Sequence, residues 1–389
     1  MKFAHLADTH LGYRQFGLIE REEDFYEVFD QIINKIIEEK VDFVIHSGDL
    51  FETPRPTPWT LLNFQKALLK LKGAGIPMYV VSGNHDTVFK QNSIPPQVIF
   101  KKLGLKVISP INTDYVHDDV FIGGLPFYSK SRIDEFKNKL KAITKKAEKY
   151  EKSILVLHQG IDIFLPMQYE LEIGDIPENF DYYAFGHIHN YIKQEFGKGY
   201  LVYPGSTEIW KVNEISDFKK NGKGFVIVDL DEDKPVVDRI VINSPRKFIR
   251  ESCDASDLGE KLYSIKKEVK DLELKPILSL DINNVVDDAS DFHDLVFKEL
   301  GDYCLNIRLR FNPFEDVEEL KVNTSSNSLA IKDFIVKYLE DYDDEKVNNL
   351  ALDLYEYLAK DKNEAVESLI DSYFKGNYDL AKIDDEEEI

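Results

Sequence analysis

The sequence predicts a layered α/β fold in which buried, largely parallel strands alternate with helices. Short apolar segments that are typical of buried strands recur along residues 1–234, and they read KFAHLA, VDFVIHSGD, PMYVVSGN, SILVLHQG and DYYAFGHIH. Helical spacing falls between the early segments, as in Phe25, Val28, Phe29, Ile32, Ile33 and Ile36. Alternation of this kind indicates a sheet whose strands are buried between layers.

A second, smaller α+β unit is predicted for residues 235–313. Before it, YLVYPGS and GFVIVDLDED look like further strands of the first unit, joined by turns. The second unit begins with the strand VVDRIVI, and apolar residues at helical spacing from Leu258 to Leu272 mark its first helix. The strand LSLDI, a helix at 290–300 and an alternating strand at 305–311 complete it.

Residues 329–389 are predicted to form amphipathic helices behind a polar linker at 314–328. The linker ends in KVNTSSNS, and three sets of apolar residues with i, i+3, i+4, i+7 spacing follow it. About 60 residues of this pattern make a poor independent core. The helices therefore either dock on their own chain or fill a groove of a partner, and the preceding tether favours the partner. We expect the acidic tail DDEEEI to be disordered.

The composition of the chain excludes several classes of protein. Its 389 residues indicate two or three folded units, and 43% hydrophobic residues suffice to bury a core. No apolar run approaches the roughly 18 residues of a membrane span. Two cysteines, Cys253 and Cys304, cannot build a disulfide framework, and MKFAHLADTH lacks the pattern of a signal peptide. We therefore expect a soluble protein of a reducing compartment.

The net charge of −22 at first argues against an anionic partner. The charge is unevenly distributed, however, because residues 1–250 carry 33 basic and 35 acidic side chains, whereas residues 251–389 carry 16 and 36. Within the first part, residues 101–150 carry 11 basic and 6 acidic side chains. An anionic substrate is therefore permitted in the N-terminal region, and only there.

Side chains with metal-binding chemistry follow five of the predicted strands directly. In chain order they are Asp8 and His10, then Asp49, then Asn84 with His85 and Asp86, then His158, and last His187 with His189. In open α/β sheets, ligands gather at the carboxyl ends of the strands. Five ends that carry carboxylate, imidazole and amide groups are therefore expected to converge on one metal site.

Each of these residues on its own has a simpler interpretation. A single buried histidine is more often a hydrogen-bonded core residue, which is how we interpret His5 and His46 within their strands. His117 and His293 look like surface positions, and the dipeptides GD and GN are common in turns. Five groups in the order D-x-H, G-D, G-N-H-D, H-x-G and G-H-x-H, each after an apolar segment, are hard to obtain by chance. The metal site is the stronger interpretation.

This order of motifs resembles the calcineurin-like metallophosphoesterases. The segments FAHLADTHLGYRQF, GDLFETPRPTP, GNHD, LHQG, AFGHIH and YPGSTE are most similar to the nucleases of that superfamily that repair DNA double-strand breaks in archaea, the relatives of bacterial SbcD. The resemblance is strong over residues 1–234 and is one of layout only beyond them. It implies a layered α/β sandwich of two central sheets flanked by helices, a small α+β capping domain and a C-terminal helical segment that binds a partner.

The resemblance also implies a dinuclear metal centre. One ion would be held by Asp8, His10, Asp49 and His189, and the other by Asp49, Asn84, His158 and His187, with Asp49 as the bridge. Mixed nitrogen and oxygen donors without a thiolate suit Mn²⁺, and Mg²⁺ would bind but support less activity. Two such ions can clamp both oxygens of a phosphoryl displacement and lower the pKa of a shared water, which would attack phosphorus.

His85 is the candidate catalytic residue. Its neighbour Asn84 takes the ligand position, and an imidazole beside the site could protonate the leaving oxygen. Asp86 would either orient His85 or cap the turn, and both alternatives stay open. After GDLF many relatives carry a histidine where this sequence has Glu52, which would either support His85 or face solvent.

The implied activity is that of a Mn²⁺-dependent DNA nuclease, a 3'-5' exonuclease on double strands and an endonuclease on single strands that processes DNA ends. The implied partners are DNA, a second copy of the chain through segments 57–71 and 94–104, and a Rad-fifty-type ABC ATPase through the C-terminal helices. Such a protein would be cytoplasmic and nucleoid-associated. Candidate DNA contacts, each with a solvated surface as the alternative, are Arg55, Lys90, Lys101, Lys102, Lys130 and Arg132, and Tyr169 is a candidate strand wedge.

Three other functions would use the same motifs. A small-substrate phosphodiesterase or nucleotidase would share the dinuclear centre but would not need the C-terminal parts. A non-catalytic DNA-end scaffold would be expected to have lost ligands, and none is lost here. A protein phosphatase has the same motif order but no obvious use for the C-terminal helices. The sequence therefore favours the nuclease.

Overall fold

Two six-stranded sheets pack face to face at the centre of the N-terminal region. This computed structural model describes residues 1–87, 94–232, 234–285 and 289–313, together with Leu350, Leu354 and Leu369, which are helical. Residues 1–314 form one unit and residues 315–389 a second. The predicted polar linker and nearly all of the predicted C-terminal helices therefore lie outside the described residues. The layered α/β fold predicted for the N-terminal region is confirmed.

The first sheet combines a parallel centre with an antiparallel edge. From edge to edge it contains β12 (Val236–Ile242), β11 (Lys223–Asp229), β1 (Lys2–Leu6), β2 (Phe43–His46), β3 (Met78–Val80) and β4 (Lys106–Val107), numbered in chain order. Strands β1 to β4 run parallel, whereas β11 is antiparallel to both β1 and β12. The carboxyl ends of β1, β2 and β3 therefore lie at the same edge of this sheet.

The second sheet has four parallel strands between two antiparallel edges. Its order is β5 (Asp114–His117), β6 (Val120–Leu125), β7 (Lys152–His158), β8 (Tyr182–Gly186), β10 (Gly199–Tyr203) and β9 (Ile192–Phe196). Strands β6, β7, β8 and β10 are parallel, and β5 and β9 pair antiparallel with their neighbours. The carboxyl ends of β7 and β8 thus also share one edge.

Four helices belong to these two layers. They are α1 (Ile19–Glu38), α2 (Pro58–Gly73), α3 (Ile133–Ala147) and α4 (Ile215–Asn221), and Pro96–Leu103 adds a 3₁₀ helix. Helix α2 begins where the hydroxyl of Thr57 accepts a hydrogen bond from the Thr60 N–H and Pro58 occupies the first turn. Among the described residues, no helix combines the length and the apolar character needed to cross a membrane.

Alternating side chains divide the core of this region into three layers. On β1, Phe3 packs between the two sheets, whereas Ala4 packs with residues of α1 and α2. On β7, Val156 packs between the sheets, whereas Leu155 packs with residues of α3. Because both faces of these strands are buried, they read in the sequence as continuous apolar runs.

A third sheet has three parallel strands and two helices. It contains β13 (Phe248–Asp254), β14 (Ile277–Val285) and β15 (Asn306–Pro313), with α5 (Leu258–Val269) and α6 (Ala289–Leu300) as connections. Leu262 of α5 and Val296 of α6 pack with Leu280 of β14 in a separate core. The elements correspond to the small α+β unit of the sequence analysis, whose domain boundaries stay a prediction.

One strand lies elsewhere than the sequence suggested. VVDRIVI was predicted to open the second unit, but as β12 it pairs with β11 along seven residues and forms the edge of the first sheet. Alternation identifies a strand without naming the sheet that it joins, so the sequence carried no signal for this placement. Strands β4, β5, β6, β9 and β13 were not predicted at all, since they are short, lie at edges or contain polar residues and glycines.

A buried ion-pair network connects the third sheet to the rest of the structure. The guanidinium of Arg21, which is fully buried on α1, donates to Asp24 at 2.5 Å and to Glu208 at 3.3 Å. Arg246, just before β13, donates through Nε to the same Asp24 carboxylate at 2.8 Å. The Arg21 guanidinium also lies 4.6 Å from the ring centroid of Phe248, the first residue of β13.

We expect Arg21→Met to lower the free energy of unfolding by about 3–5 kcal/mol, because it leaves the buried Glu208 carboxylate without its cation and Asp24 with only Arg246. The measurement is the urea midpoint followed by circular dichroism, with an unchanged m-value. The control is Lys35→Gln, which removes an exposed cation from α1 and is expected to leave the midpoint in place. Equal midpoints for the two variants would contradict the network's role.

Candidate metal centre

Five strands from both sheets deliver their carboxyl-end residues to one place. Asp8 and His10 follow β1, Asp49 follows β2, and Asn84 follows β3. His158 is the last residue of β7, and His187 and His189 follow β8 directly. The seven side chains predicted as metal ligands are thus brought together from two sheets, as the direction of the strands requires.

Left-handed backbone turns orient four of these residues. The φ angles are 51° at Asp8, 44° at His10, 52° at Asp49 and 97° at His187. Residues with a Cβ rarely adopt positive φ, and each such residue costs on the order of 1–3 kcal/mol. Backbone hydrogen bonds hold the turns against this strain, since the N–H of Asp8 donates to the Gly48 carbonyl at 3.0 Å and that of His10 to the Asp49 carbonyl at 3.1 Å.

Two glycines let the turns approach the ligands. A Cβ at Gly48, whose φ is +101°, would lie 2.2 Å from Nδ1 of His158. A Cβ at Gly83 would lie 2.1 Å from Oδ1 of Asp49. Any side chain at either position would displace a candidate ligand. This steric limit explains the glycine in each of the motifs S-G-D and S-G-N-H-D.

The first cluster of donors contains Asp8, His10 and His189. Nε2 of His10 and Nε2 of His189 lie 3.1 Å apart, and Nε2 of His189 lies 3.9 Å from the Asp8 carboxylate. On the far side of each ring, Nδ1 of His10 lies 2.8 Å from Glu52, and Nδ1 of His189 lies 2.9 Å from Glu214. Both carboxylates accept the Nδ1 proton, so both Nε2 atoms direct a lone pair at the same point.

The second cluster contains Asn84, His158, His187 and Asp49. Oδ1 of Asn84 lies 3.1 Å from Nε2 of His158 and 2.8 Å from Nδ1 of His187. Nε2 of His158 is also 3.3 Å from the Asp49 carboxylate. The other nitrogen of His158, Nδ1, donates to the Ser47 carbonyl at 2.8 Å, which turns Nε2 toward these acceptor oxygens.

The donor set fits two cations. Lone pairs of the two imidazoles at 3.1 Å repel each other unless a positive charge lies between them. The oxygens at 3.1–3.3 Å from Nε2 of His158 likewise favour a positive charge, a proton or a metal cation, at that nitrogen. Asp49 contributes to both clusters, because its carboxylate is 3.3 Å from Nε2 of His158 and 4.0 Å from Nε2 of His10. It is therefore placed to bridge two ions.

The electrostatics of the buried site also favour bound cations. Burial lowers the pKa of His158, but the carboxylates of Asp49 and Asp8 outweigh it and raise this pKa to about 9. Burial likewise raises the pKa of Glu214, but Lys223 and His189 hold it well below its usual range. The site thus attracts positive charge strongly, and its outer carboxylate stays ionised.

His85 lies beside the two clusters rather than within them. The backbone N–H of His85 donates to Oδ1 of Asp49 at 2.8 Å. Nδ1 of the His85 ring lies 3.2 Å from the Glu52 carbonyl and 3.5 Å from the Glu52 carboxylate. Burial lowers the pKa of His85, but Glu52 and Asp49 raise it to about 9. Bound cations would add positive charge nearby and bring this pKa down toward neutrality.

Asp86 and Glu52 have separate roles in this geometry. The fully buried Asp86 accepts hydrogen bonds from the N–H groups of Leu50 at 2.8 Å and Gly83 at 2.7 Å, so it ties the β2 and β3 turns together. Glu52 lies between His10 and His85, where their hydrogen bonds outweigh burial and lower its pKa to about 2. Of the two alternatives for each residue, the contacts favour turn capping for Asp86 and support of His85 for Glu52.

Sequence reasoning missed Trp210, Glu214 and Lys223. The Trp210 ring stacks on His10 at 5.3 Å between centroids and meets His189 edge-on at 5.1 Å, while its Nε1 donates to Glu52 at 3.1 Å. The buried Lys223 donates to Glu214 at 2.7 Å. These residues follow no strand end and belong to no quoted motif, so no spacing signal was available to find them.

The remaining histidines lie where the sequence analysis expected or close to it. His5 is fully buried between Tyr182 at 2.9 Å and Ser47 at 2.8 Å, and His46 is fully buried against Thr9 at 3.0 Å. His293 is exposed. His117 is half-buried and packs on Phe43, so it is less exposed than a surface position would be.

A groove of about 330 Å³ gives access to the centre. Asp49, Asn84, His85, His187 and His189 line it together with Gln168, Trp210 and Lys211. Of the candidate DNA contacts, Lys90 lies outside the described residues, and none of the others lines this groove. Arg55, Lys101, Lys102, Lys130 and Arg132 are exposed, and the Lys130 ammonium lies 3.9 Å from the ring centroid of Tyr169.

Comparisons with known proteins agree with this geometry. The family model described as calcineurin-like phosphoesterase matches residues 1–191. The chain is 36% identical to the DNA double-strand break repair protein Mre11 of Methanocaldococcus jannaschii over 97% of this chain and 100% of that protein. It is 35% identical to the protein of that name from Methanococcus maripaludis, over 97% of this chain and 100% of that protein. The Thermoplasma acidophilum protein of that name is 38% identical over 75% of this chain and 81% of its own length.

We expect Glu214→Gln to weaken the binding of a divalent cation, with Mn²⁺ as the probe, about 10- to 100-fold, because His189 loses the charged acceptor that fixes its Nδ1 proton. Isothermal titration calorimetry on the full chain measures this. The control is Asp217→Asn, which changes a nearby carboxylate that bonds Asn221 instead of a ligand. An affinity equal to that of the control would contradict the orienting role of Glu214.

Proposed function

Because this chain belongs to the calcineurin-like phosphoesterases and, within them, to the Mre11 family of DNA double-strand break repair proteins, we propose that it is a Mn²⁺-dependent nuclease that processes DNA ends. It degrades double strands with 3'-5' polarity and cuts single strands internally, and Mg²⁺ binds but supports less activity. It acts in the cytoplasm, at the nucleoid. The observation that carries the proposal is the complete set of seven nitrogen and oxygen donors around two points, with Asp49 between them.

The residues at the centre have two kinds of role in hydrolysis: some would hold the cations, and others orient the histidines. Asp8, His10, Asp49 and His189 would hold one cation, and Asp49, Asn84, His158 and His187 the other. When bound, the two cations stabilise charge on the phosphoryl oxygens and lower the pKa of the attacking water. Glu52 and Glu214 hold the Nδ1 protons of His10 and His189 and so keep both Nε2 atoms available.

His85 supplies the proton for the leaving oxygen. Glu52 engages its Nδ1, so Nε2 is the nitrogen that donates into the groove. The charges of Glu52 and Asp49 favour the protonated ring, which is the form that a general acid needs. The edge of Trp210, 5.3 Å away between centroids, restricts the ring on another side.

The surroundings of the groove suit a nucleic acid. Arg55, Lys101, Lys102, Lys130 and Arg132 are exposed cations, and we expect them to contact phosphates on either side of the scissile bond. Trp210 and Lys211 form part of the groove wall. A small-substrate phosphodiesterase would share the centre but has no use for this surrounding charge.

Two protein partners belong to the proposal. Helix α2 exposes Trp59, Leu62 and Leu69, and Ile94 and Ile99 are exposed beyond it, so these segments are suited to pair with a second copy across a two-fold axis. The amphipathic helices predicted at 329–389 would bind a Rad50-type ABC ATPase. Both partners are proposals, and the second depends on the sequence pattern alone.

We expect His85→Gln to retain Mn²⁺ and DNA binding but to lose about 10²- to 10⁴-fold in the rate of hydrolysis, because no acid meets the leaving oxygen. The assay uses labelled duplex and single-stranded DNA with Mn²⁺, Mg²⁺ or a chelator. Calorimetry and a gel-shift assay report binding of the same variant. His117→Gln, at a histidine remote from the centre, is the control.

The acid role of His85 and the nuclease function can be contradicted separately. Cleavage by His85→Gln at nearly the wild-type rate would remove His85 from the acid role and leave the nuclease proposal standing. Rapid turnover of free nucleotides by the wild type, with no cleavage of DNA under any metal, would replace the nuclease with a nucleotidase.

Deletion of residues 329–389 is expected to abolish co-purification with a Rad50-type ABC ATPase, because the apolar faces that would fill its groove are gone. Mn²⁺-dependent hydrolysis of bis(p-nitrophenyl) phosphate is expected to continue, since the metal centre lies within residues 1–214. Removal of residues 384–389 alone, the acidic tail, is the matched control and should leave the association intact. Association that survives the longer deletion would place the ATPase on another surface.

A further inference from the structure

A second cavity, here called the side cavity, opens next to the metal centre. Its volume is about 430 Å³, and it is bounded by the strand end at Ile108, the following residues Ser109 and Pro110, and the segment from Pro126 to Tyr128. Lys101 and Arg132 line it as well. None of the roles assigned above to the metal centre uses this space.

The side cavity and the metal centre share two walls. One is Phe127, whose ring lies 5.9 Å from the ring of His187 between centroids and is nearly parallel to it, and 6.3 Å from that of His158. The other is the turn after β3, where Ser82 and Thr87 line the side cavity and the intervening Asn84 and His85 line the groove. The side cavity and the groove are therefore adjacent.

The walls of the side cavity combine apolar surface with two cations, Lys101 and Arg132, and one carboxylate, Glu135. Phe127 is partly exposed and supplies aromatic surface, the exposed Ile94 and Ile111 supply aliphatic surface, and the buried Tyr128 and Ile108 lie beside them. The guanidinium of Arg132 lies 5.0 Å from the ring centroid of Tyr128 and is held there by Glu135 at 2.6 Å. Lys101 adds an exposed ammonium from the 3₁₀ helix. This chemistry matches a planar, largely apolar group that is flanked by anions.

We propose that the side cavity binds one unpaired nucleobase of the DNA strand whose phosphate lies at the metal centre. A base attached to that strand offers a π-face to the apolar walls, while its flanking phosphates meet Lys101 and Arg132. The base must leave its stack to enter, so the site selects strands that are single or frayed at the cut. This inference rests on the proposed nuclease function and adds the recognition of an unpaired base to it.

Two matched pairs of variants test the site. Ser109→Phe fills the side cavity, whereas Ser109→Ala removes the same hydrogen bond to the Asn112 N–H but leaves the space open. Lys101→Gln removes a cation that lines the side cavity, whereas Lys102→Gln removes its exposed neighbour, which does not line it. Each variant is assayed with Mn²⁺ on a single-stranded oligonucleotide and on bis(p-nitrophenyl) phosphate, which has no base.

We expect Ser109→Phe to raise KM for the oligonucleotide about tenfold, the lower range for loss of one stacked base, and Ser109→Ala to leave it unchanged. Lys101→Gln should raise KM more than Lys102→Gln. Hydrolysis of bis(p-nitrophenyl) phosphate should not change in either Ser109 variant. In addition, an abasic residue should raise the wild-type KM at one fixed distance from the cut, and Ser109→Phe should abolish that penalty.

The outcomes separate the failure of this inference from the failure of the proposed function. Wild-type protein that cuts no DNA overturns both. Wild-type protein that cuts DNA while Ser109→Phe behaves as Ser109→Ala, or while no abasic position matters, overturns the base site alone. If Ser109→Phe also loses activity on bis(p-nitrophenyl) phosphate, the lysine pair decides, and equal KM values for Lys101→Gln and Lys102→Gln overturn the site.

Discussion

The carboxylate of Asp49 lies where the two sheets meet, and the turns around the metal centre are arranged about it. Oδ1 of this carboxylate accepts a hydrogen bond from the backbone N–H of His85, and Oδ2 faces Nε2 of His158. The backbone carbonyl of Asp49 accepts a hydrogen bond from the backbone N–H of His10. Asp49 holds this position with a φ of 52°, and Gly83 leaves room for it. Asp49 thus combines a strained backbone, a close steric fit and a central charge. A strained backbone conformation persists only where surrounding contacts hold it in place.

Around Asp49, carboxylates of the outer layer decide which ring nitrogens face inward. Glu52 and Glu214 bind the far side of His10 and His189, and Trp210 packs on the same histidines. Trp210 and Glu214 belong to the segment between β10 and α4, which also contains Glu208, the partner of the buried Arg21. Because Arg21 and Arg246 share Asp24, the packing of the third sheet and the shape of the metal centre depend on connected contacts.

Much of this arrangement could be predicted from the sequence, for a physical reason. Buried parallel strands leave long apolar runs, and the residues after them, such as Asp8, Asn84 and His189, must meet where the strands end. Spacing gives no such information about Glu214 or Trp210, which reach the centre from a loop. It also could not assign β12 to the first sheet, because alternation identifies a strand but not its neighbour. Contacts set by loops and edges are decided by the folded chain as a whole.

The most direct test of the central claim, that seven side chains hold two cations with Asp49 between them, is anomalous diffraction from a crystal of the Mn²⁺-loaded protein. We expect two manganese peaks about 3.5–4 Å apart, one beside His10 and His189 and the other beside His158 and His187. A single peak at saturating Mn²⁺, or none within this groove, would contradict it.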